Sequence, residues 1–195
     1  MRPALLFALF SSATLFAAEP MYVSVCNLGK LPETTVARAK AETEAAFRSA
    51  EVSIEWRGCN EDPAAAPWFT LRLRNDEPPK TAGSSSLDAM GRAFVAESGE
   101  GYLADAYFEA IRELASQHQA DARDLWGYVM AHELCHLLLG PGHVPGGVMR
   151  AKWSLDELTA LRQQWLQFNP SQQAQIRRGL RAKADLQEAV LRAEK

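Results

Sequence analysis

Three stretches in the first half of the chain alternate between apolar and polar residues. Such alternation, with a period of two, is typical of β-strands that bury one face. The strands predicted in this way cover residues 21–26, 52–56 and 68–74. In the third of them Phe69, Leu71 and Leu73 fall on one face, which indicates a sheet with one side turned to an apolar core.

Four other stretches place apolar residues three and four positions apart, as on one face of a helix. The residues at their ends support this interpretation, because Ser154 and Glu157 form a capping box and Gly140 ends the stretch of residues 122–139. The predicted helices run from residue 33 to about 50, over 122–139, from 155 onward, and from 170 almost to residue 195. The last one is only weakly amphipathic, so we expect a partly detached arm.

The pattern is weaker between residues 75 and 121. Residues 75–86 are rich in turn formers, and residues 89–95 form a short predicted strand that Gly91 weakens. Residues 102–108 are expected to be a strand that leads into a helix through Ile111 and Leu114. This order of elements predicts an α+β fold, in which a mixed twisted sheet packs on the helix of residues 122–139 and the C-terminal part is helical.

The first eighteen residues have the features of an export signal. Arg2 provides a positive start, an apolar stretch extends to Phe16, and small residues precede Glu19 at a suitable cleavage site. The apolar stretch is too short to span a membrane, although an uncleaved anchor is an alternative. We predict a signal peptide over residues 1–18, a secreted or periplasmic protein, and no stable membrane insertion after cleavage.

Charge and cysteine content add two further expectations. The chain of 195 residues has a formal net charge of −3, which argues against a general nucleic-acid binder. In an exported protein Cys26 and Cys59 could form a disulfide, because each lies near the end of a predicted strand. Two separate thiols are the alternative, and the sequence leaves both open.

The predicted helix of residues 122–139 contains the motif His-Glu-x-x-His. His132 and His136 are four residues apart, so both imidazoles project from one helix face towards a shared zinc ion. Glu133 lies beside the first ligand and can act as general base on a zinc-activated water. Three of the four histidines of the chain fall between residues 132 and 143, a clustering that a chance match does not explain.

A catalytic zinc site needs a third protein ligand and an open position. His143 is the leading candidate, because Gly140 and Gly142 allow the chain to turn back towards the metal. A carboxylate from the following helix, Asp156 or Glu157, is the alternative. Glu157 already has a role in the capping box, so His143 is favoured.

Cys135 lies inside the motif, and two roles are open to it. A thiolate ligand would close the coordination sphere and make the site structural, whereas a small thiol packs well between a helix and a sheet. The helical geometry turns Cys135 away from the face that carries His132 and His136, which favours packing. The fourth histidine, His118, lies in a polar stretch and is expected to be exposed.

The segment from His132 to Met149 resembles the motif of the metzincin zinc peptidases, and of the matrixins among them. In that family a glycine ends the active-site helix, a third histidine follows, and a methionine turn packs beneath the zinc. Gly140, His143 and Met149 would take these positions, although three residues separate His136 from Gly140 and five separate His143 from Met149. The resemblance implies a metzincin-like peptidase domain over residues 19–169, followed by a C-terminal helix over residues 170–195.

The motif and the resemblance together predict an exported zinc-dependent metalloendopeptidase. Zn²⁺ would be bound by His132, His136 and His143, Glu133 would be the catalytic base, and the substrate would be a protein or peptide. By analogy with the family, an extended substrate would pair with the strand of residues 89–95. The alternatives are a non-catalytic zinc-stabilised binding module and a zinc hydrolase that acts on another kind of amide.

Overall fold

Five strands and five helices make up the part of the chain that the computed structural model describes, residues 20–59, 61, 68–76, 78 and 90–193. The strands are β1 (Met21–Asn27), β2 (Ile54–Gly58), β3 (Trp68–Arg74), β4 (Gly91–Val95) and β5 (Gly101–Tyr107). The helices are α1 (Glu33–Arg48), α2 (Phe108–His118), α3 (Ala122–Leu139), α4 (Leu155–Arg162) and α5 (Pro170–Ala193). The predicted α+β class is confirmed.

The strands form one mixed sheet in the order β2-β1-β3-β5-β4. The pairs β1–β2, β1–β3 and β3–β5 are parallel, and β4 is antiparallel to β5. On the face towards the core, Leu71 is paired with Ala104 and Leu73 with Ala106, and all four are fully buried. Among the described strands β4 lies at one edge of the sheet and has β5 as its single neighbour.

The central element of the fold is α3, in which every residue from Leu125 to Leu138 is buried. A helix that is apolar on all sides requires cover on all sides, and α1, α2, α5 and three strands provide it. Thr43 of α1 ties two helices together, since its hydroxyl donates to the carbonyls of Ala39 at 2.8 Å and Gly127 at 3.0 Å. The His-Glu-x-x-His motif therefore lies on the most enclosed helix of the described chain.

A disulfide joins Cys26 at the end of β1 to Cys59 just after β2. It closes a separation of 33 residues that contains α1. Of the two alternatives that the sequence left open for these cysteines, the structure has the disulfide.

The helix α5 is docked over its first part and exposed over its later part. Ile176 and Leu180 are buried in the core, and the guanidinium of Arg177 donates to the Ala50 carbonyl at 3.3 Å. Leu186 and Val190 are exposed. The expectation of a partly detached arm therefore fits the later part of the helix, whereas in its first part apolar side chains meet the core.

The predicted signal peptide lies outside the described residues, which begin at residue 20. Among the helices that the structure describes, none is both long enough and apolar enough to cross a membrane.

Candidate metal centre and active-site cleft

Two imidazoles converge from one face of α3. His132 and His136 are both buried, and their Nε2 atoms lie 3.0 Å apart. The separation of four residues on a helix produces this approach, because it brings the side chains one turn apart on the same side. The expected pairing of the two helical histidines is thus present.

The third imidazole comes from the segment of residues 140–153, which we call the return loop. It starts at Gly140, whose φ of 84° and ψ of −175° belong to a region that is almost restricted to glycine. The loop then brings the exposed His143 back, so that its Nε2 lies 3.2 Å from Nε2 of His136. The ligand atoms of the three histidines all lie within 4.8 Å of one another.

Backbone carbonyls orient both helical imidazoles. Nδ1 of His132 lies 2.7 Å from the carbonyl oxygen of Val148, and Nδ1 of His136 lies 3.1 Å from that of Gly140. A carbonyl can only accept, so each Nδ1 carries the proton and each Nε2 presents a lone pair. This arrangement is the one that metal-binding histidines use.

The donor set fits a metal ion such as zinc. Lone pairs that face one another at 3.0 and 3.2 Å repel unless a cation lies between them. Tetrahedral zinc with Zn–N bonds of about 2.0–2.1 Å separates its nitrogen ligands by about 3.3 Å, which is close to the observed spacing. The three histidines could therefore hold a metal with little movement.

The electrostatics of the two helical histidines support the same use. Burial lowers the pKa of His132 to about 4 and also lowers the pKa of His136, and neighbouring imidazoles add to the effect. Metal binding needs neutral imidazole. The protein thus keeps both side chains in the binding form at neutral pH.

Glu133 is buried against the edge strand β4, with only 6% of its surface exposed. Burial raises the pKa of this carboxyl to about 8, although the backbone N–H of Ala93 partly offsets the shift by hydrogen bonding to the charged form. The contact with β4 depends on Gly91. A Cβ at that position would lie 2.5 Å from both Cγ and Oε1 of Glu133, so only glycine leaves room for the carboxylate.

The second half of the return loop forms a turn beneath the histidines. The N–H of Val144 donates to the Met149 carbonyl at 3.0 Å, and Val148 and Met149 are buried. The indole of Trp153 donates to the same Val148 carbonyl that binds His132, at 3.3 Å. Met149 thus has the burial expected of a turn methionine, while Val148 makes the contact to the site.

The three histidines and Glu133 open onto one cleft of about 520 Å³. Its walls come from β4, from α3 and from the return loop. Besides these four residues it is lined by Met90, Gly91, Arg92, Ala93, Val95, Val129, Pro141, Gly142, Arg150, Ala151 and Trp153. Gly91, Arg92, Ala93 and Val95 of the edge strand β4 are among these lining residues. Among the described strands β5 is the single neighbour of β4, so an extended chain could pair with its other side.

The other candidate ligands lie elsewhere. Among the described residues, the group that could hold a metal consists of His132, His136 and His143 alone. Cys135 is fully buried as a free thiol, which agrees with packing rather than ligation. Glu157 is occupied by Ser154 and Arg150, so the alternative of a carboxylate as third ligand has no support in the structure.

Comparison with solved structures identifies a protein with a similar fold. The crystal structure of archaemetzincin from Methanopyrus kandleri matches 87% of this chain and 99% of its own, with a TM-score of 0.51 and 16% sequence identity. The chain has an archaemetzincin-like fold. No protein-family model matches the sequence, and neither does any curated protein. The metzincin resemblance is thus supported at the level of the fold.

Four contributors to the site have a weak signal in the sequence or none. Gly91 interrupts a predicted strand, and such a glycine often marks a close approach of another group, here Glu133. The Val148 carbonyl has no signal, because any residue supplies one. Arg150 and Trp153 follow the turn methionine, but nothing in their spacing shows that they line the cleft.

Proposed function

We propose that this protein is an exported zinc-dependent metalloendopeptidase, with His132, His136 and His143 as metal ligands and Glu133 as general base. One observation carries the proposal: three convergent Nε2 atoms, two of them fixed by carbonyls, lie beside a buried carboxylate in an open cleft. The name of the structural neighbour agrees with this function. The narrower matrixin-like assignment rests only on the motif of residues 132–149.

The residues of the cleft divide the chemistry between them. Zinc, when bound, would supply a Lewis acid that polarises a peptide carbonyl and lowers the pKa of water. Burial alone keeps the carboxyl of Glu133 mostly protonated at neutral pH, since its pKa is raised to about 8, and the positive charge of a bound zinc ion would lower this pKa. The Glu133 carboxylate would then accept the proton of the attacking water and transfer it to the leaving amine. Its burial and its contacts with Gly91 and Ala93 hold the carboxylate in one place, which suits a group that must transfer a proton twice.

The edge strand β4 gives a reason to expect a peptide substrate. Residues of β4 line the cleft, and β5 is its single neighbour among the described strands, so an extended peptide that pairs with the other side of β4 would run past the histidines. Main-chain pairing needs no particular side chain, so it would accept many sequences. An amide without an extended chain would gain nothing from this strand, which favours peptide cleavage over the hydrolysis of other amides.

The site does not have the composition of a structural zinc centre. Structural zinc is closed by four protein ligands, and the described residues provide three. Cys135, the proposed fourth ligand of a non-catalytic module, is not among them. A position left open beside a carboxylate supports an enzyme rather than a binding module.

Export is supported by two separate features. The sequence begins with the features of a signal peptide, and the disulfide between Cys26 and Cys59 belongs to an oxidising compartment. Expression of the full chain in a secreting bacterial host tests this part. We expect the exported protein to have the mass of a chain that starts at Glu19, and full-length protein retained in the cytoplasm would contradict it.

The enzymatic part is tested with the isosteric variant Glu133→Gln. Removal of a general base lowers turnover by about 100- to 10,000-fold, so we expect cleavage of unfolded casein to fall by at least about 100-fold, while one equivalent of zinc is still retained. Glu109→Gln, at a partly exposed carboxylate on α2, serves as the matched control. Purified wild-type protein without a stoichiometric metal, or a fully active Glu133→Gln variant, would overturn the proposal.

A further inference from the structure

A cationic side chain lines the cleft and has no role in the chemistry described above. Arg150 follows the buried Met149 in the return loop and borders the same cleft as the three histidines. Its side chain is 37% exposed. The side chain is therefore partly accessible, although the residue before it is buried.

One nitrogen of Arg150 is anchored by the capping box of α4. Nη1 donates to both carboxylate oxygens of Glu157, at 3.1 and 3.2 Å, and lies 3.4 Å from the hydroxyl of Ser154. Glu157 is itself held, because it accepts the N–H of Ser154 at 2.8 Å and its hydroxyl at 2.6 Å. The guanidinium therefore has a fixed position before any substrate arrives.

The other side of the guanidinium has unused donors. Towards other described residues, every side-chain hydrogen bond of Arg150 begins at Nη1. Nε and Nη2 form the planar fork that binds a carboxylate through two parallel hydrogen bonds. A fixed fork with both donors available is a better receptor for a carboxylate than a mobile surface arginine.

The remaining charges of the cleft do not compete for this fork. The lining residues include a second arginine, Arg92, and a single carboxylate, that of Glu133. Glu133 is buried in its contact with Gly91. Glu157 offsets part of the charge of Arg150, so recognition depends on the directed donors more than on net charge.

The size of the cleft sets an upper limit on the distance between Arg150 and the peptide bond that is cleaved. A cavity of 520 Å³, taken as a sphere, is about 10 Å across, and an extended chain advances about 3.4 Å per residue. A group on its wall therefore lies within about three residues of the bond next to the histidines.

We propose that Arg150 binds a carboxylate of the peptide substrate, within three residues of the bond that is cleaved. This inference rests on the proposed peptidase function and assigns it a substrate class. The carboxylate has two possible sources, an Asp or Glu side chain or the α-carboxylate of a peptide C-terminus, and both present the same two oxygens to the fork.

The test uses quenched fluorescent peptides of one neutral sequence. One arm replaces Gln by Glu at each of the three positions on either side of the cleaved bond. The other arm ends the peptide at each of the three positions after the cleaved bond, with a free or an amidated C-terminus. We expect at least a 10-fold higher kcat/KM for the charged member in one arm, since a charged hydrogen bond contributes a factor of this order, and the arm identifies the source.

Two variants examine the role of the fork itself. Arg150→Gln should abolish the discrimination between charged and neutral peptides. Arg150→Lys keeps the positive charge and the ion pair with Glu157 but has no fork, so it should fold normally and still lose most of the preference. Arg112→Gln, at an exposed arginine of α2, should discriminate like wild type, and thermal melting confirms that each variant is folded.

A binding measurement separates this inference from the proposed function. Fluorescence anisotropy of the same peptides on the Glu133→Gln protein reports affinity without turnover, and charged peptides should bind at least 10-fold more tightly than neutral ones. Equal Kd and kcat/KM values for Glu and Gln peptides and for free and amidated termini would overturn the role of Arg150. If wild type cleaves no peptide, the peptidase proposal fails, and the anisotropy difference still decides whether Arg150 recognises a carboxylate.

Discussion

The two regions that supply the histidines, α3 and the return loop, are held in place by different forces. An unbroken apolar core buries α3 from residue 125 to residue 138, so His132 and His136 are fixed by many contacts at once. In the return loop His143 is exposed, and the loop is positioned by a few backbone hydrogen bonds and by the conformation of Gly140. The helix therefore tolerates small changes around the ligands, whereas the loop depends on individual atoms.

The largest difference between the two regions should appear when single ligands are removed. His136 lies between the other two histidines, within 3.0 and 3.2 Å of their Nε2 atoms. His136→Ala removes a metal ligand itself and should weaken zinc binding by well over about 100-fold. The loss of a group that only hydrogen-bonds to a ligand already weakens metal binding by about 10- to 100-fold. His143→Ala should weaken it less, since the helical pair remains.

Competition with a chromogenic chelator measures both dissociation constants. Equal losses for the two variants would show that the loop ligand is as strongly fixed as the helical one. Retention of wild-type affinity by His143→Ala would remove His143 from the site.

A second prediction concerns the contact between Gly91 on β4 and Glu133 on α3. Gly91→Ala would place a methyl group where the Glu133 carboxylate now lies, 2.5 Å from Oε1. A shift of about 1 Å in a catalytic group lowers activity by about 100-fold, so kcat/KM should fall by this order while the zinc dissociation constant stays unchanged. A simultaneous loss of zinc would mean that the disturbance spreads along α3 to the ligands.

A third prediction compares substitutions at two nearby glycines of the return loop, Gly140 and Gly142. A methyl group added at either Gly140 or Gly142 would meet no heavy atom of the described residues within 4 Å, but only Gly140 of the two has a positive φ, of 84°. Gly140→Ala should lower the free energy of unfolding by about 1–3 kcal/mol and weaken zinc binding through His143. Gly142→Ala should change the free energy by no more than about 0.5 kcal/mol, as measured by urea titration.

The smallest effect concerns the end of the return loop, where Glu157 holds Arg150 and Ser154. Burial alone would raise the pKa of Glu157, but hydrogen bonds from Ser154 and Arg150 outweigh burial and lower it below its usual value of 4.5. A lowered pKa stabilises the fold above pH 4.5, and this contribution disappears as the pH falls through the pKa of the folded state.

Glu157→Gln should therefore be less stable than wild type by about 1 kcal/mol at pH 7, the usual magnitude for a helix cap. The two proteins should converge as the pH falls below 4.5. Urea unfolding across this range measures the difference, and Glu109→Gln, at an exposed pair, should show little effect. A difference that stays constant with pH would contradict the ionic role of Glu157.

The sequence predicts the elements whose pattern is local. The bounds of β3 and α3 agree with the prediction, because Phe69, Leu71 and Leu73 alternate clearly and because Asp121 caps α3 by accepting the N–H of Arg123. The capping box of α4 is confirmed for the same reason. The convergence of His132 and His136 follows from helix geometry alone.

The features that sequence reasoning missed depend on contacts between distant parts of the chain. β2 begins two residues later than predicted, since pairing of Ile54 with Met21 sets its register. β4 begins at Gly91, which is paired with Ala106, and the predicted first residue of this strand, Ala89, lies outside the described residues. The contact of Gly91 with Glu133 joins residues on two different elements. The orientation of Arg150 likewise depends on Glu157. The sequence predicts the role of Glu157 in helix capping but not its contact with Arg150.

The carbonyl groups that orient the two helical imidazoles have a consequence for how the protein can evolve. The oxygens of Val148 and Gly140 belong to the main chain, and every amino acid supplies the same oxygen. No substitution removes these acceptor oxygens, so replacement of the neighbouring side chains leaves the tautomers of His132 and His136 unchanged. Only insertions, deletions or a change of backbone conformation can displace these oxygens. Variants that displace them are therefore expected to change the length of the return loop or to replace its glycines.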